Sequence, residues 1–92
     1  MSTANAQVEI KNAMGIHLRP GSSVVQLCNQ YPDCEVEISK DGLTINGKSI
    51  MSVIMLAAEK GSVLDLRVTG AESQALLKEL IHLIDSKFGE ED

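Results

Sequence analysis

The sequence predicts an α+β fold, a four-stranded antiparallel sheet with three helices packed on one face, in the order βαββαβα. Three observations carry this. Four short runs alternate apolar with polar residues, the period of a strand with one covered and one wetted face, as antiparallel sheets commonly have. Three further segments repeat apolar residues at helical spacing. Asp41-Gly42, between the second and third strand runs, is the pair that a tight hairpin turn prefers.

Taken in order, the first strand run sets Val8 and Ile10 against Glu9 and Lys11. The first helix carries Val24, Leu27, Cys28 and Tyr31 at i, i+3, i+4 and i+7, with Pro32 closing it. The hairpin follows, with Val36 and Ile38 alternating with Glu37 and Ser39, then Leu43 and Ile45 with Thr44 and Asn46. A second helix is expected from Ser49 to Glu59, with Ile50, Val53, Ile54 and Ala57 on one face and Gly61 as its stop. Leu64, Leu66 and Val68 alternate with Asp65, Arg67 and Thr69 to give the last strand. The third helix begins near Ala71, carries Leu76, Leu77, Leu80, Ile81, Ile84 and Phe88, and ends at Gly89. A ferredoxin-like arrangement uses almost the same order without the last helix, and pattern alone separates the two poorly.

The 92 residues suit one domain, 1–92, with residues 1–5 and 90–92 expected to be frayed and solvated. Hydrophobic residues at 43% and charged residues at 23% describe a folded chain with a modest core. Tyr31 and Phe88 are the only aromatics, so the core is aliphatic and no stacking platform for single-stranded nucleic acid exists. A net charge of −5 argues further against a nucleic-acid partner. No apolar run approaches a membrane span, and Met1-Ser2-Thr3-Ala4-Asn5 lacks a signal-peptide pattern, so a cytoplasmic protein without membrane insertion is expected. Cys28 and Cys34, with His17 and His82 far apart, lack metal-ligand spacing, and no metal or other cofactor is expected. Cys28 falls on a helix's apolar stripe and reads as a core thiol, while His82 reads as a surface residue.

The stretch Gly15-Ile16-His17-Leu18-Arg19-Pro20-Gly21 places a histidine where a strand run ends and an amphipathic helix begins. A helix's first turn offers backbone N–H groups without intrahelical partners, and the dipole adds partial positive charge. An imidazole there is a nucleophile with an anion site beside it, and Arg19 supplies a second cation. These parts suit a histidine that accepts and passes on a phosphoryl group, with the Leu18 and Arg19 amides and the Arg19 guanidinium holding it at intermediate strength. Pro20 fits a first turn because it has no N–H to leave unpaired. It also disfavours helical geometry at Arg19, so 17–19 is expected to be extended or strained at the helix entrance.

Gly15-Ile16-His17-Leu18-Arg19-Pro20 resembles the Gly-aliphatic-His-Ala-Arg-Pro motif of the HPr family, the histidine-containing phosphocarriers of the bacterial phosphotransferase system. Lys48-Ser49-Ile50-Met51 resembles that family's segment around its regulatory serine, and Met55-Leu56-Ala57-Ala58, Lys60-Gly61 and Gly70-Ala71-Glu72 extend the likeness over nearly the whole chain. The resemblance implies that enzyme I donates a phosphoryl group to Nδ1 of His17 and that an EIIA-type protein takes it away. The chain is then a stoichiometric carrier, not an enzyme, best served as a monomer. Leu18 replaces the family's usual alanine and Gly21 a frequent alanine, which bears on partner choice.

By the same resemblance Ser49 is the site for HPr kinase/phosphorylase. Its bare sequence position, heading a helix, equally suits a capping hydroxyl. Met14, Leu18, Ile50, Met51 and Ile54 are expected to form a flexible apolar docking surface for partners. Three other readings stand beside this one. Val53-Ile54-Met55-Leu56-Ala57-Ala58 and the Lys87-Phe88-Gly89 ending resemble the nitrogen-type branch, whose phosphate chain regulates proteins and does not drive sugar uptake. A ferredoxin-like ligand-binding module would need a polar pocket at a strand edge, and a regulatory relative without a working histidine is opposed by His17 itself.

Overall fold

The computed structural model describes residues 2–90. Its elements are β1 (Thr3–Glu9), α1 (Leu18–Asn29), β2 (Glu35–Lys40), β3 (Leu43–Asn46), α2 (Ile50–Met55), β4 (Val63–Thr69) and α3 (Ser73–Asp85), followed by a short 3₁₀ turn, Lys87–Gly89. The strands form one sheet in the order β1-β4-β2-β3, and each neighbouring pair is antiparallel. The α+β architecture expected from the sequence is therefore present, with all three helices.

Alternation decides which face of the sheet is covered. Val36 and Ile38 of β2 and Leu64, Leu66 and Val68 of β4 are buried, while Glu37, Asp65 and Arg67 between them face outward. Leu76, Leu80 and Ile84 of α3 are fully or nearly fully buried in the same core as Val24 and Cys28 of α1 and Val53 of α2. The last helix is thus part of the core, which distinguishes this fold from the ferredoxin-like alternative. Each buried Leu or Ile contributes about 2 kcal/mol by leaving water. At the hairpin, Asp41 and Gly42 both take positive φ, 49° and 86°, which matches the twist of the strands they join.

Three expectations are corrected. Thr3, Ala4 and Asn5 are not frayed: they pair with Thr69, Val68 and Arg67, and Ala4 is buried. Strand pairing and a buried methyl outweigh the entropy of a chain end; Met1 lies outside the described residues. The second helix covers only Ile50–Met55, because Ala57 turns left-handed at φ 52° and the Lys40 ammonium donates to the carbonyls of Leu56 and Ala57, both at 3.2 Å. The third helix stops at Asp85 because Lys87 and Phe88 adopt φ of 59° and 57°, ahead of Gly89 at 77°.

The stretch between β1 and α1 is held at its closest point by Gly15. Its φ is +67°, and a methyl added there would lie 2.4 Å from the Ala58 carbonyl oxygen and 2.8 Å from Glu59 Cα. That approach lets the Ile16 amide donate to Ala58 O at 2.8 Å. Gly15→Ala is expected to destabilise the protein by about 2–4 kcal/mol, combining left-handed strain with backbone overlap; urea unfolding measures it, and a loss under about 1 kcal/mol would contradict this account.

Candidate functional site

His17 is the N-cap of α1, with extended backbone (φ −107°, ψ −165°), and its side chain makes no capping bond. Its carbonyl accepts from Gly21 N–H at 2.9 Å, closing the first helical turn. Leu18 and Arg19 are already inside the helix, contrary to the expectation that Pro20 keeps 17–19 extended. The preference of a residue before proline is outweighed here, because Pro20 occupies the third helical position, where no N–H is required, and its ring is buried. The Leu18 and Arg19 amides have no acceptor within the helix and none is made among the described residues, so the first turn presents two donors next to His17.

The imidazole itself is engaged on one nitrogen. His17 Nε2 lies 2.8 Å from Glu90 Oε2, and Arg19 Nη2 donates to the same oxygen at 2.9 Å. The other carboxylate oxygen accepts from Asn12 Nδ2 at 2.8 Å. Asn12 is fully buried and its Nδ2 also donates to Gly15 O at 2.7 Å, so the amide is tied to the loop that carries His17. The Asn12 bond above all, then those from His17 and Arg19, holds the Glu90 carboxyl below the usual carboxylate range, against a desolvation that works the other way. An ionised carboxylate only accepts, so Nε2 carries a proton, and in the neutral form of the ring Nδ1 carries the lone pair. No hydrogen bond to Nδ1 is made among the described residues.

Neither Asn12 nor Glu90 was singled out in the sequence. Glu90 is corrected from frayed to anchored, with a side chain only 11% exposed; Glu91 and Asp92 lie outside the described residues. The anchor is Phe88, buried beneath the left-handed turn at 87–89. Holding two non-glycine residues left-handed costs on the order of 1–3 kcal/mol each, and burying Phe88 offsets that by about 2–3 kcal/mol. Asn12 left no periodic signal, and Glu90 resembled a solvated acidic end.

The other predicted residues fall in two groups. Met14, Leu18 and Met51 are 75%, 69% and 70% exposed, and Met55, outside the predicted set, is 67% exposed. Ile50 and Ile54 are half-buried and come against α1 at Gly21, where an added methyl would meet their Cδ1 atoms at 3.4 and 3.0 Å. Leu18 and Met51 thus sit on two helices joined at a glycine. Ser49 shares no hydrogen bond with the imidazole cluster among the described residues. Its Oγ caps α2 by accepting from Ser52 N–H at 3.3 Å, while Lys48 Nζ donates to Tyr31 O at 2.8 Å. Cys28 and Cys34 are buried free thiols, and burial pushes the Cys28 thiol up to about 12, so it is no nucleophile near neutral pH. His82 is exposed, as expected. No helix among the described residues is long and apolar enough to cross a membrane, and they hold no metal-ligating cluster.

A family profile described as "PTS HPr component phosphorylation site" matches residues 4–86. The phosphocarrier protein HPr of Neisseria meningitidis serogroup A is 40% identical over 83 residues, which is 90% of this chain and 92% of that protein. Among solved structures, HPr-C-His from Thermoanaerobacter tengcongensis superposes with a TM-score of 0.92 at 36% identity, over 97% of this chain and 99% of its own. HPr from Bacillus anthracis follows the same path with a TM-score of 0.85 at 28% identity, over 91% and 99% of the two chains. Glu90 lies beyond the stretch that the profile matches.

The Glu90 carboxyl titrates lower in the folded chain than its ordinary 4.5. Its ionised form therefore stabilises the fold in full above that ordinary value, and the contribution is lost as pH falls through the lower native value. Glu90→Gln does not ionise there. Urea unfolding of both proteins below about pH 5, outside the range in which an imidazole ordinarily titrates, is expected to show a stability gap that narrows as pH falls. A gap that widens over that range would contradict the assignment.

Proposed function

The chain belongs to the HPr family of phosphotransferase-system phosphocarriers, carriers rather than enzymes, and on that premise we propose that His17 accepts a phosphoryl group on Nδ1 from phosphorylated enzyme I and yields it to an EIIA-type protein. The observation that carries this is the placement of His17 at the cap of α1, beside the free amides of Leu18 and Arg19 and the Arg19 guanidinium. A phosphoryl group on Nδ1 brings about two negative charges, and a helix N-terminus with an adjacent arginine is the local environment that receives them. Two backbone donors and one mobile cation grip the group without enclosing it. The side chains of Arg19 and His17 are 63% and 40% exposed, so partners can reach both guanidinium and ring.

Met14, Leu18, Ile50, Met51 and Ile54, together with Met55, support a docking surface around this site, since exposed methionines adapt to successive partners of different shape. Ser49 is proposed as the regulatory phosphorylation site on the strength of the Lys48-Ser49-Ile50-Met51 match. A phosphate there adds negative charge next to an apolar surface, which disfavours an acidic partner. A carrier of the nitrogen-type branch is the second reading, favoured by the run 53–58 and the Lys87-Phe88-Gly89 ending. Comparing transfer to sugar-type and nitrogen-type EIIA proteins separates the two.

Incubation with enzyme I and radiolabelled phosphoenolpyruvate is expected to place acid-labile label on the wild type and none on His17→Ala. Label that persists in His17→Ala would overturn the assignment of the acceptor. Met51→Asp is expected to slow loading about tenfold by putting a charge into the docking surface, with unchanged thermal unfolding; unaltered loading would remove Met51 from that surface.

A further inference from the structure

Glu90 faces the ring from the nitrogen that does not react. Its Oε2 accepts from His17 Nε2 and from Arg19, and its Oε1 is fixed by Asn12, whose fully buried amide spends both protons on Glu90 and Gly15 O. Turning that amide over would lose both bonds, since its Oδ1 has no partner among the described residues and cannot donate. The backbone arrives through three successive left-handed residues, pinned by buried Phe88, and Glu90 N–H donates to Lys87 O at 2.9 Å. This carboxylate is therefore placed by the fold and is not a loose chain end.

We propose that Glu90 is a positioning residue for phosphoryl transfer: it keeps the proton on Nε2 of His17, so that Nδ1 presents its lone pair before transfer and the ring departs as neutral imidazole afterwards. The inference rests on the reading of His17 as phosphoryl acceptor. On loading, the Nδ1 lone pair forms the P–N bond while the bond from phosphorus to the donor breaks and its electron pair stays with the donor. Nδ1 carries no proton, so none has to leave. The ring becomes positively charged, and that charge faces Oε2 across the Nε2–H bond, much as a buried aspartate stabilises the imidazolium of a Ser-His-Asp triad. On unloading, the P–N electron pair returns to Nδ1 as the acceptor bonds to phosphorus, and the retained Nε2 proton makes the leaving group neutral. Arg19 is the contact that exchanges. Its exposed side chain leaves Oε2 for phosphoryl oxygens, while Glu90 stays held by Asn12 and His17.

The test joins a spectroscopic readout to a kinetic one, on wild type, Glu90→Gln and Glu90→Ala, with far-UV circular dichroism to establish that each is folded. With ¹⁵N-labelled histidine at pH about 8.5, where a free imidazole is neutral, one- and two-bond ¹H–¹⁵N couplings identify the tautomer. Wild type is expected to show the Nε2–H form with a slowly exchanging proton. In Glu90→Ala that proton exchanges freely, the Nδ1–H form appears, and both loading and unloading slow about tenfold, the loss of one hydrogen bond to a charged group. Glu90→Gln keeps the tautomer through its amide oxygen but, lacking the charge, transfers at an intermediate rate. A folded Glu90→Ala with the wild-type tautomer spectrum, or with unchanged transfer rates, would falsify the proposal. Failure of the wild type itself to take label is a different result: it removes the phosphocarrier reading, and this proposal with it, before any variant is compared.

Discussion

The contact between the Gly15–Ile16 backbone and Ala58 is the constraint on which the site depends. A left-handed glycine with no Cβ brings the stretch after β1 against the stretch after α2, and the Ile16 amide locks it to Ala58 O. Everything that follows in the chain is aimed by that joint. It sets where α1 starts, which residue becomes its cap, and the direction in which the first amides point. Its partner stretch is fixed from the other side: Lys40 satisfies the carbonyls of Leu56 and Ala57, and Gly61 N–H donates to Ile10 O. His17 is thus mounted on two connections that hold each other, with the sheet behind them.

Electrostatically the site is compact. One carboxylate serves three donors, from the loop before α1, from its cap and from its first turn. Sharing Oε2 between the ring and Arg19 couples them: whatever draws the guanidinium away leaves the carboxylate's charge more fully on the ring. Position follows from buried parts, Asn12 and Phe88, whereas Arg19, Leu18 and Met51 stay exposed. A carrier has reason to be built this way, because a fixed frame with a yielding cation can hold a group firmly in one complex and loosely in the next.

The sheet, the helix order and the place of His17 at the head of α1 were legible because each leaves a periodic or motif-like trace. Alternation marked the covered faces of β2 and β4, and Asp41-Gly42 marked the hairpin. What escaped was set by distant partners. The end of α2 depends on Lys40 from another strand; the conformation at Arg19 is the local exception, fixed by the turn that Gly21 N–H and His17 O close. Asn12 and Glu90 meet across 78 positions of sequence, and no local pattern announces such a meeting. Glu90 was the harder case, since an acidic chain end ordinarily is solvated, and only the strained turn over Phe88 makes this one otherwise.

The strand order also governs how the molecule is made. β1, synthesised before the other strands of this sheet, lies at its edge and pairs with β4, in a register that joins Thr3 to Thr69 and Glu9 to Val63. Its backbone donors therefore wait for most of the chain, while β2 and β3 can close their hairpin at once. Closing so long a loop is entropically unfavourable until the helices collapse onto the sheet, and topologies of this kind fold more slowly than local ones. The loop that carries His17 leads directly out of β1, so its final shape waits on that late pairing, and an incomplete nascent chain holds the imidazole in no fixed place.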